Sequence, residues 1–364
     1  APRTPVEHVI ADIWSEVLGV RQVGASDDFF RLGGHSLLAV QFVAQLRKRA
    51  AIEIELRHLF TYPTLAALAA FIHSSKPASR HPNLVPIRAR GDAAPLFLIH
   101  PIGGEVQYAF DLARHLDDQQ PVYALAASGI AAGEQPCPSV PDMASSYLEA
   151  IRQVQASGPY LLAGWSLGGM IAYDIAHRLL AQGEKVDFVG MIDTGSSPYL
   201  RAQMQAAHVA EFDECAALLY WLADLQSADA DARHHAVHGE LVALAERKDI
   251  DAMIATCQRE ALLPTHLDKA LVKRIVAVYR AGGYAAWQYE APLAAMPVTF
   301  FAAERKEGED ATFGWSELLG NRLELVRIGG SHLTIVKPPY IQKLARDISG
   351  RLERRAQGTE LSLA

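Results

Sequence analysis

The sequence predicts two folded units of different class. The first is a small all-α bundle of about four helices. The second is an α/β domain whose mostly parallel sheet is interrupted by a long helical insertion. Three observations lead there. Apolar residues recur at helical spacing over roughly the first seventy positions; a Ser-, Pro- and Arg-rich stretch at 74–90 breaks that pattern; and short β-rich runs then alternate with helical stretches. A chain of 364 residues suits about two to three ordinary domains.

In the first unit, Val6, Val9, Ile10, Ile13 and Val17 repeat at helical spacing, Trp14 and Leu18 widen the stripe, and Gly19 ends it. A second periodic stretch, 37–48, carries Leu38, Val40, Phe42, Val43 and Leu46, and LRHLF (56–60) and TLAALAAFI (64–72) follow. No strand pattern of useful length intervenes, so a compact four-helix bundle over 4–73 is the expectation. The composition of 74–90, SSKPASRHPNLVPIRAR, reads as a linker.

Six β-rich runs follow: PLFLIH (95–100), PVYALA (121–126), YLLAGWS (160–166), KVDFVGMID (185–193), PVTFFAAE (297–304) and LELVRI (323–328). Near-continuous apolar strands separated by helices imply a parallel sheet covered on both faces, placed here at 91–353 with a tail at 354–364. About a hundred residues, 196–296, separate the fourth and fifth of these runs and are helical in composition. An insertion of that kind is expected to sit over the strand ends as a lid.

Gly164-Trp165-Ser166-Leu167-Gly168 matches GxSxG, lying after the strand YLLAG and before the helix MIAYDIAHRLLAQG. A strand that turns sharply into a helix leaves room only for small residues beside the serine, whose oxygen then stands exposed at a helix N-terminus, as in an α/β-hydrolase. Such a serine needs a base. His332, in the loop after the last strand, is the candidate, whereas His177 lies inside the helix that follows the serine. For the acid, spacing leaves three residues open: Asp193 at the end of one strand, and Glu304 or Asp310 at and after the next. Oxyanion donors are expected from the backbone N–H of Leu167 and, in the Gly-rich loop His100-Pro101-Ile102-Gly103-Gly104, of Ile102. His100 itself is a weaker candidate for a second base.

Ser36, preceded by Gly33-Gly34-His35, sits at the start of the second helix of the bundle. Serine is a common N-cap. Position 39 is Ala, however, so no capping box forms, and a helix N-terminus also favours an attached phosphodiester. Residue physics leaves cap and modification site equally open.

The stretch DDFFRLGGHSLLAVQ (27–41) resembles the carrier-domain signature of nonribosomal peptide synthetases, and HPIGG, PVYALAASG, GWSLGG, GMIDTG and GGSHLTIV resemble the type I thioesterase that ends such synthetases. The resemblance implies that Ser36 carries 4′-phosphopantetheine, attached by a phosphopantetheinyl transferase. It implies Asp193 as the acid, and upstream condensation and adenylation domains on the same longer chain. A peptidyl or acyl thioester would pass to Ser166 and be released by hydrolysis or macrocyclisation. His35 resembles peptidyl carriers, since polyketide-type carriers usually have Asp there. A polyketide-type unit, an inactive scaffold and an ordinary esterase are the rival readings.

Other features exclude or bound function. A formal net charge of -7 gives no basic footprint for nucleic acid. No apolar run reaches the length of a membrane span, so a cytoplasmic protein with no membrane partner is expected. Three scattered cysteines, Cys137, Cys215 and Cys257, argue against a disulfide framework and fit a reducing compartment. The His234, His235 and His238 cluster offers an i, i+4 pair but no third ligand at fixed spacing, so no metal is expected. The first residue is Ala1, from which an excised part of a longer chain is expected.

Overall fold

The computed structural model describes residues 2–34, 36–50, 52, 54, 56–74, 81–131, 133–206, 211–225, 231–263, 267–293 and 296–356. They form two compact units, residues 1–80 with 266–272 and residues 81–265 with 273–364.

The first unit contains α1 (Pro5–Leu18), α2 (Ser36–Ala50), α3 (Leu56–Thr61) and α4 (Leu65–Ser74). Thr4 starts α1 by accepting from the Glu7 N–H at 3.1 Å, Pro5 fills the first turn, and Gly19 ends the helix with φ 67°. The α1 stripe turns Ile10, Ile13 and Trp14 into a core shared with Phe29, Phe42, Leu46, Leu59 and Leu68. Trp14 meets the Phe29 ring edge-on at 5.1 Å. Phe29 also anchors the loop before α2: its N–H donates to Pro63 O at 2.8 Å, and a side chain on Gly34 would stand 2.3 Å from its ring. Only glycine fits at 34 while Phe29 is in place.

The second unit is a seven-stranded sheet: β1 (Leu84–Arg88), β2 (Leu96–Ile99), β3 (Val122–Leu125), β4 (Tyr160–Trp165), β5 (Val186–Ile192), β6 (Val298–Ala302) and β7 (Leu323–Arg327). Their spatial order is β1-β3-β2-β4-β5-β6-β7, with every pairing parallel except β1 with β3. Both faces are covered, as the apolar strands require: β2 and β4 are buried along their whole length. The helices α5 (Gln107–Ala113) and α14 (Tyr340–Ala356) pack together, as do α6 (Val140–Arg152) and α7 (Leu167–Ala181). From β2 the chain crosses one way to β3 and then back past β2 to β4. Loops leaving β2 and β4 therefore diverge, and a crevice opens at that switch point.

Two expected boundaries are corrected. The stretch 74–90 is not linker throughout: Ser74 closes α4, and 84–88 is strand β1, whose Leu84 pairs with Leu125. Pro86 disguised it. Proline removes one ladder donor, a loss that an edge strand tolerates, and the register shifts between Pro86 and Arg88. Residues 75–80 of that stretch lie outside the described residues. In the expected tail, 354–356 complete α14, and 357–364 lie outside the described residues.

The insertion accordingly falls between the fifth and sixth strands. It contains α8 (Ser197–Ala206), α9 (Glu214–Leu225), α10 (Asp231–Glu246), α11 (Ile250–Arg259) and α12 (Lys269–Gln288).

Replacing Phe29 by Ala removes the ring on which the bundle core and the Gly34 loop both rest. A loss of about 3–5 kcal/mol is expected for a fully buried Phe. Hydrogen exchange of the α1 amides in the intact chain should then quicken by roughly a hundredfold or more, at about 1.4 kcal/mol per tenfold. Unchanged α1 protection would contradict this account of the core.

Candidate active site

The parallel register sets the site. Ile99 of β2 pairs with Gly164 of β4, Trp165 with Ile192 of β5, and Ile192 with Phe301 of β6. The residues after these positions, His100, Ser166, Asp193 and Ala302–Ala303, emerge along one edge of the sheet.

Ser166 stands on the turn between β4 and α7 with φ 56° and ψ -123°, a strained conformation for any residue with a side chain. Its N–H donates to Ile192 O at 2.9 Å, which ties the turn to β5. The glycines around it are sterically required. A Cβ on Gly164 would lie 2.1 Å from the Gly168 carbonyl, and one on Gly169 would lie 2.0 Å from Thr194 Oγ1. A Cβ on Gly168 would lie 2.3 Å from Ile99 O and 2.7 Å from His100 O, so the turn presses directly on the end of β2.

Asp193 is fully buried at the end of β5, with φ 47°. Its Oδ2 accepts from His332 Nδ1 at 2.8 Å. Oδ1 accepts from the Ala303 N–H at 2.8 Å and from the Arg305 guanidinium. Burial alone would raise its pKa, but the hydrogen bond and charge of His332, the Ala303 amide and Arg305 outweigh burial and hold the carboxyl below its ordinary value. The alternatives fall away on geometry. Glu304 is exposed, and Asp310 is engaged in its own loop by Thr312 and Gly314.

His332 follows Gly329 and Gly330, whose φ values of 105° and 73° turn the chain after β7. Its carbonyl accepts from Trp165 Nε1 at 3.2 Å, and the two rings lie 5.6 Å apart. The histidine is thus held beside the residue preceding Ser166. With Nδ1 bound to Asp193, Nε2 is the nitrogen left to exchange a proton. Among the described residues no hydrogen bond joins Ser166 Oγ to His332.

The expected oxyanion donors lie together. Leu167 is the first residue of α7, and among the described turns and loops neither its N–H nor that of Ile102 donates to a backbone carbonyl. Both residues border α12: a Cβ on Gly282 would lie 3.0 Å from Ile102 O and 3.2 Å from Leu167 Cδ2. Tyr279 of the same helix closes on Gly103, where a Cβ would lie 2.6 Å from its hydroxyl. Helix α12 of the insertion therefore covers the loop 100–104. His100 is buried, its pKa pushed down by burial to about 4, and it contacts Pro101 and Tyr147. His177 sits within α7.

Several contributors escaped sequence reasoning. Arg305 reaches Asp193 while its guanidinium lies 3.9 Å over the Phe313 ring. Trp165 carries no catalytic signature in the sequence. Glu105 and Asp224 bring two further carboxyls to this end of the sheet; burial pushes them up to about 7 and about 6. Tyr279 and the charge of His332 both act on Asp224 in the opposite sense to burial.

In the first unit, Ser36 is the first residue of the 15-residue α2, which has no acidic residue in its first turn. Gly33, at φ 99°, and Gly34 lead into it. A hydroxyl-bearing residue at an uncompensated helix N-terminus suits attachment of an anionic phosphodiester. His35 and the side chain of Ser36 lie outside the described residues, as do the side chains of His234 and His235. Among the described residues no group of three His, Cys, Asp or Glu could hold a metal, and no helix is long and apolar enough to cross a membrane. All three cysteines are free thiols.

A strained serine after a central strand, a buried Asp hydrogen-bonded to a half-buried His after later strands and a Gly-containing loop after an earlier one define an α/β-hydrolase of the serine type. The chain belongs to the thioesterase domain family, whose model matches residues 94–352, and residues 8–72 match the phosphopantetheine attachment site family. The chain is 41% identical over 55% of its length to a dimodular nonribosomal peptide synthase of Bacillus subtilis, and 32% identical over 98% of its length to the chondramide synthase of Chondromyces crocatus. It spans only 8% and 9% of the lengths of those two relatives. Among solved structures, a four-domain nonribosomal peptide synthetase matches 96% of this chain and 26% of its own, with TM-score 0.63 and 29% identity. The thioesterase domain from the nocardicin cluster shares the fold over 74% of this chain and 99% of its own, with TM-score 0.51 at 19% identity.

The Asp193 carboxyl sits below its ordinary pKa of about 3.9, so it contributes stability that is fully present above about pH 4 and lost as pH falls through its folded value. Asp193→Asn lacks this component. Denaturant unfolding at a series of pH values should show the parent losing stability relative to the variant as pH drops below about 4. A difference independent of pH across that range would contradict the assignment.

Proposed function

We propose that the chain is the terminal carrier–thioesterase unit of a nonribosomal peptide synthetase. Its carrier domain occupies 4–73 and its release domain follows the segment after Ser74, with the insertion at 196–296 as lid. One observation carries the reading: the hydrogen-bonded Asp193–His332 pair stands on the sheet edge that also presents Ser166, on a chain whose other domain is a phosphopantetheine attachment site.

Ser36 would hold the 4′-phosphopantetheine, which when bound supplies a thiol that presents the acyl chain as a thioester. Ser166 Oγ attacks the thioester carbonyl as His332 Nε2 takes its proton. Asp193 keeps the ring in the Nδ1–H tautomer and stabilises the imidazolium. The Ile102 and Leu167 N–H groups meet the oxyanion as it forms. When the C–S bond breaks, His332 returns the proton to the departing thiol and leaves an ester on Ser166. Water, or an amine or hydroxyl of the same acyl chain, then attacks that ester with His332 again as base, giving hydrolysis or macrocyclisation. Helix α12 over the oxyanion loop supports a lid that limits water there.

Attachment of both domains to one chain makes the transfer intramolecular, so a weak docking surface suffices. The partners implied are a phosphopantetheinyl transferase and upstream condensation and adenylation domains, and the compartment is the cytoplasm. The intact Ser166, Asp193 and His332 weigh against an inactive scaffold, and His35 weighs against a polyketide-type carrier.

Loading Ser36 with a peptidyl-pantetheine by means of a promiscuous phosphopantetheinyl transferase, then mapping acylated peptides by mass spectrometry, tests the assignment. The label should appear on Ser36, pass to Ser166 and disappear. In Ser166→Ala it should stay on Ser36, with turnover reduced by roughly four orders of magnitude or more. A native-like peptidyl group that never reaches Ser166 would sink the release reading, and a Ser36 that accepts no label would sink the carrier reading.

A further inference from the structure

Among the described residues, His100 stands at the sheet edge as a histidine for which the release chemistry has no use, and its surroundings are more specific than a core histidine needs. The ring is 1% exposed. Nδ1 lies 2.6 Å from Pro101 O and Nε2 lies 2.6 Å from Oη of Tyr147, a buried side chain of α6. A carbonyl oxygen can only accept, so Nδ1 carries the proton. Nε2 of the neutral ring is then the acceptor, and Tyr147 donates to it. Burial keeps the ring neutral down to about pH 4, so this single arrangement holds throughout the neutral range.

The carbonyl that His100 holds belongs to the same peptide unit as the Ile102 N–H. That unit is planar, and it is not among the cis peptides of the chain, so its C=O and N–H point in opposite directions. Fixing one fixes the other. Pro101 O also accepts from the Gly104 N–H at 2.9 Å, which closes the turn from the far side.

We propose that Tyr147 and His100 form a positioning relay that clamps the Pro101–Ile102 peptide and aims the Ile102 N–H at the developing oxyanion. Tyr147 sets the tautomer of His100, His100 holds the carbonyl, and the rigid peptide transmits the orientation to the donor. Both side chains are buried, each 1% exposed, and they act on the donor through the Pro101 carbonyl. The relay matters only when negative charge develops, so it raises kcat and leaves substrate binding alone. The idea rests on the reading of Ile102 as an oxyanion donor.

The test uses the full chain with an acyl N-acetylcysteamine thioester as substrate and an alkylboronic acid as tetrahedral analogue. Tyr147→Phe removes one hydroxyl at constant packing, and His100→Leu removes the donor to Pro101. His100→Asn keeps an N–H donor on Cγ where Nδ1 stood. Removing a whole oxyanion donor costs about 10²–10³ in kcat, so roughly a tenfold loss is expected for Tyr147→Phe and a hundredfold loss for His100→Leu. KM should hold, boronate affinity should fall in parallel with kcat, and His100→Asn should restore most of what His100→Leu loses.

A rise in KM with kcat intact, or kcat and boronate affinity both unchanged in Tyr147→Phe, overturns the relay; the second comparison holds even where His100→Leu does not fold. ¹⁵N NMR of the histidines, with His100 assigned by its loss in His100→Asn, gives a readout independent of turnover. The relay requires a protonated Nδ1 and a bare Nε2 at neutral pH, and the opposite tautomer overturns it. A parent chain with the required tautomer that neither cleaves the thioester nor binds the boronate retains the clamp and overturns the release reading instead.

Discussion

The constraint on which the second unit depends is the crowding of backbone around Ser166. Strand β4 must turn into α7 within one residue, and the turn must pass the end of β2 on one side and Thr194 on the other. Three glycines make that possible, because at each a Cβ would stand within 2.3 Å of a neighbouring atom. The strain at φ 56° costs of order 1–3 kcal/mol and persists only where surrounding structure over-determines it. Here that structure is the centre of the sheet, where β2 and β4 are buried along their whole length, with the Ser166 N–H fixed to β5 and the start of α7 packed on the β2 loop. The same crowding brings the amide-bearing loop 100–104 beside the serine. The turn that carries Ser166 and the loop 100–104 are two consequences of one packing problem.

A second consequence is the distance in sequence over which the site is assembled. Asp193 lies 139 residues from His332 and 112 from Arg305. They meet because parallel strands in register end at one edge, which places each following loop at the same height. Long excursions such as the insertion are tolerated because they leave and re-enter at strand ends without disturbing that register. The covering helix α12 carries Gly282-Gly283 in its interior, a placement that weakens a helix by roughly 1 kcal/mol per glycine relative to Ala. Their small size lets the helix backbone approach closely: a Cβ on Gly283 would stand 2.4 Å from the Phe212 ring, and one on Gly282 would press on Ile102 O at 3.0 Å. Local helix stability is given up for contact with the site.

Legibility in the sequence followed the range of the forces involved. The GxSxG turn was readable because its physics is local: strand, steric need for glycine, helix. Strands β2 and β4, buried on both faces, announced themselves as continuous apolar runs. Strand β1 did not, because an edge strand needs less apolar character and LVPIR carries the proline and arginine that mark linkers. Spacing could not choose among Asp193, Glu304 and Asp310, since all lie at or just after strand ends. The choice depends on which carboxyl is buried against the histidine, a tertiary fact. Arg305 and Trp165 were invisible for the same reason: each acts through a contact spanning more than a hundred residues.

The two serines at the centre of the functional reading, Ser36 and Ser166, solve one electrostatic problem in different ways. Each stands at the start of a 15-residue helix, and neither helix has an acidic residue in its first turn. The positive end of each helix is therefore left for an outside anion. At Ser166 the backbone is forced to positive φ and pinned by hydrogen bonds, which suits a charge that appears only briefly and must meet donors already in place. At Ser36 the positive φ belongs to Gly33, three residues before the helix begins, and glycine bears it without strain. A permanent phosphodiester needs no strained seat, only an accessible hydroxyl and a favourable field. Among the described residues of the first unit only glycines take a positive φ, whereas Ser166 and Asp193 of the hydrolase site both do so with a side chain in place.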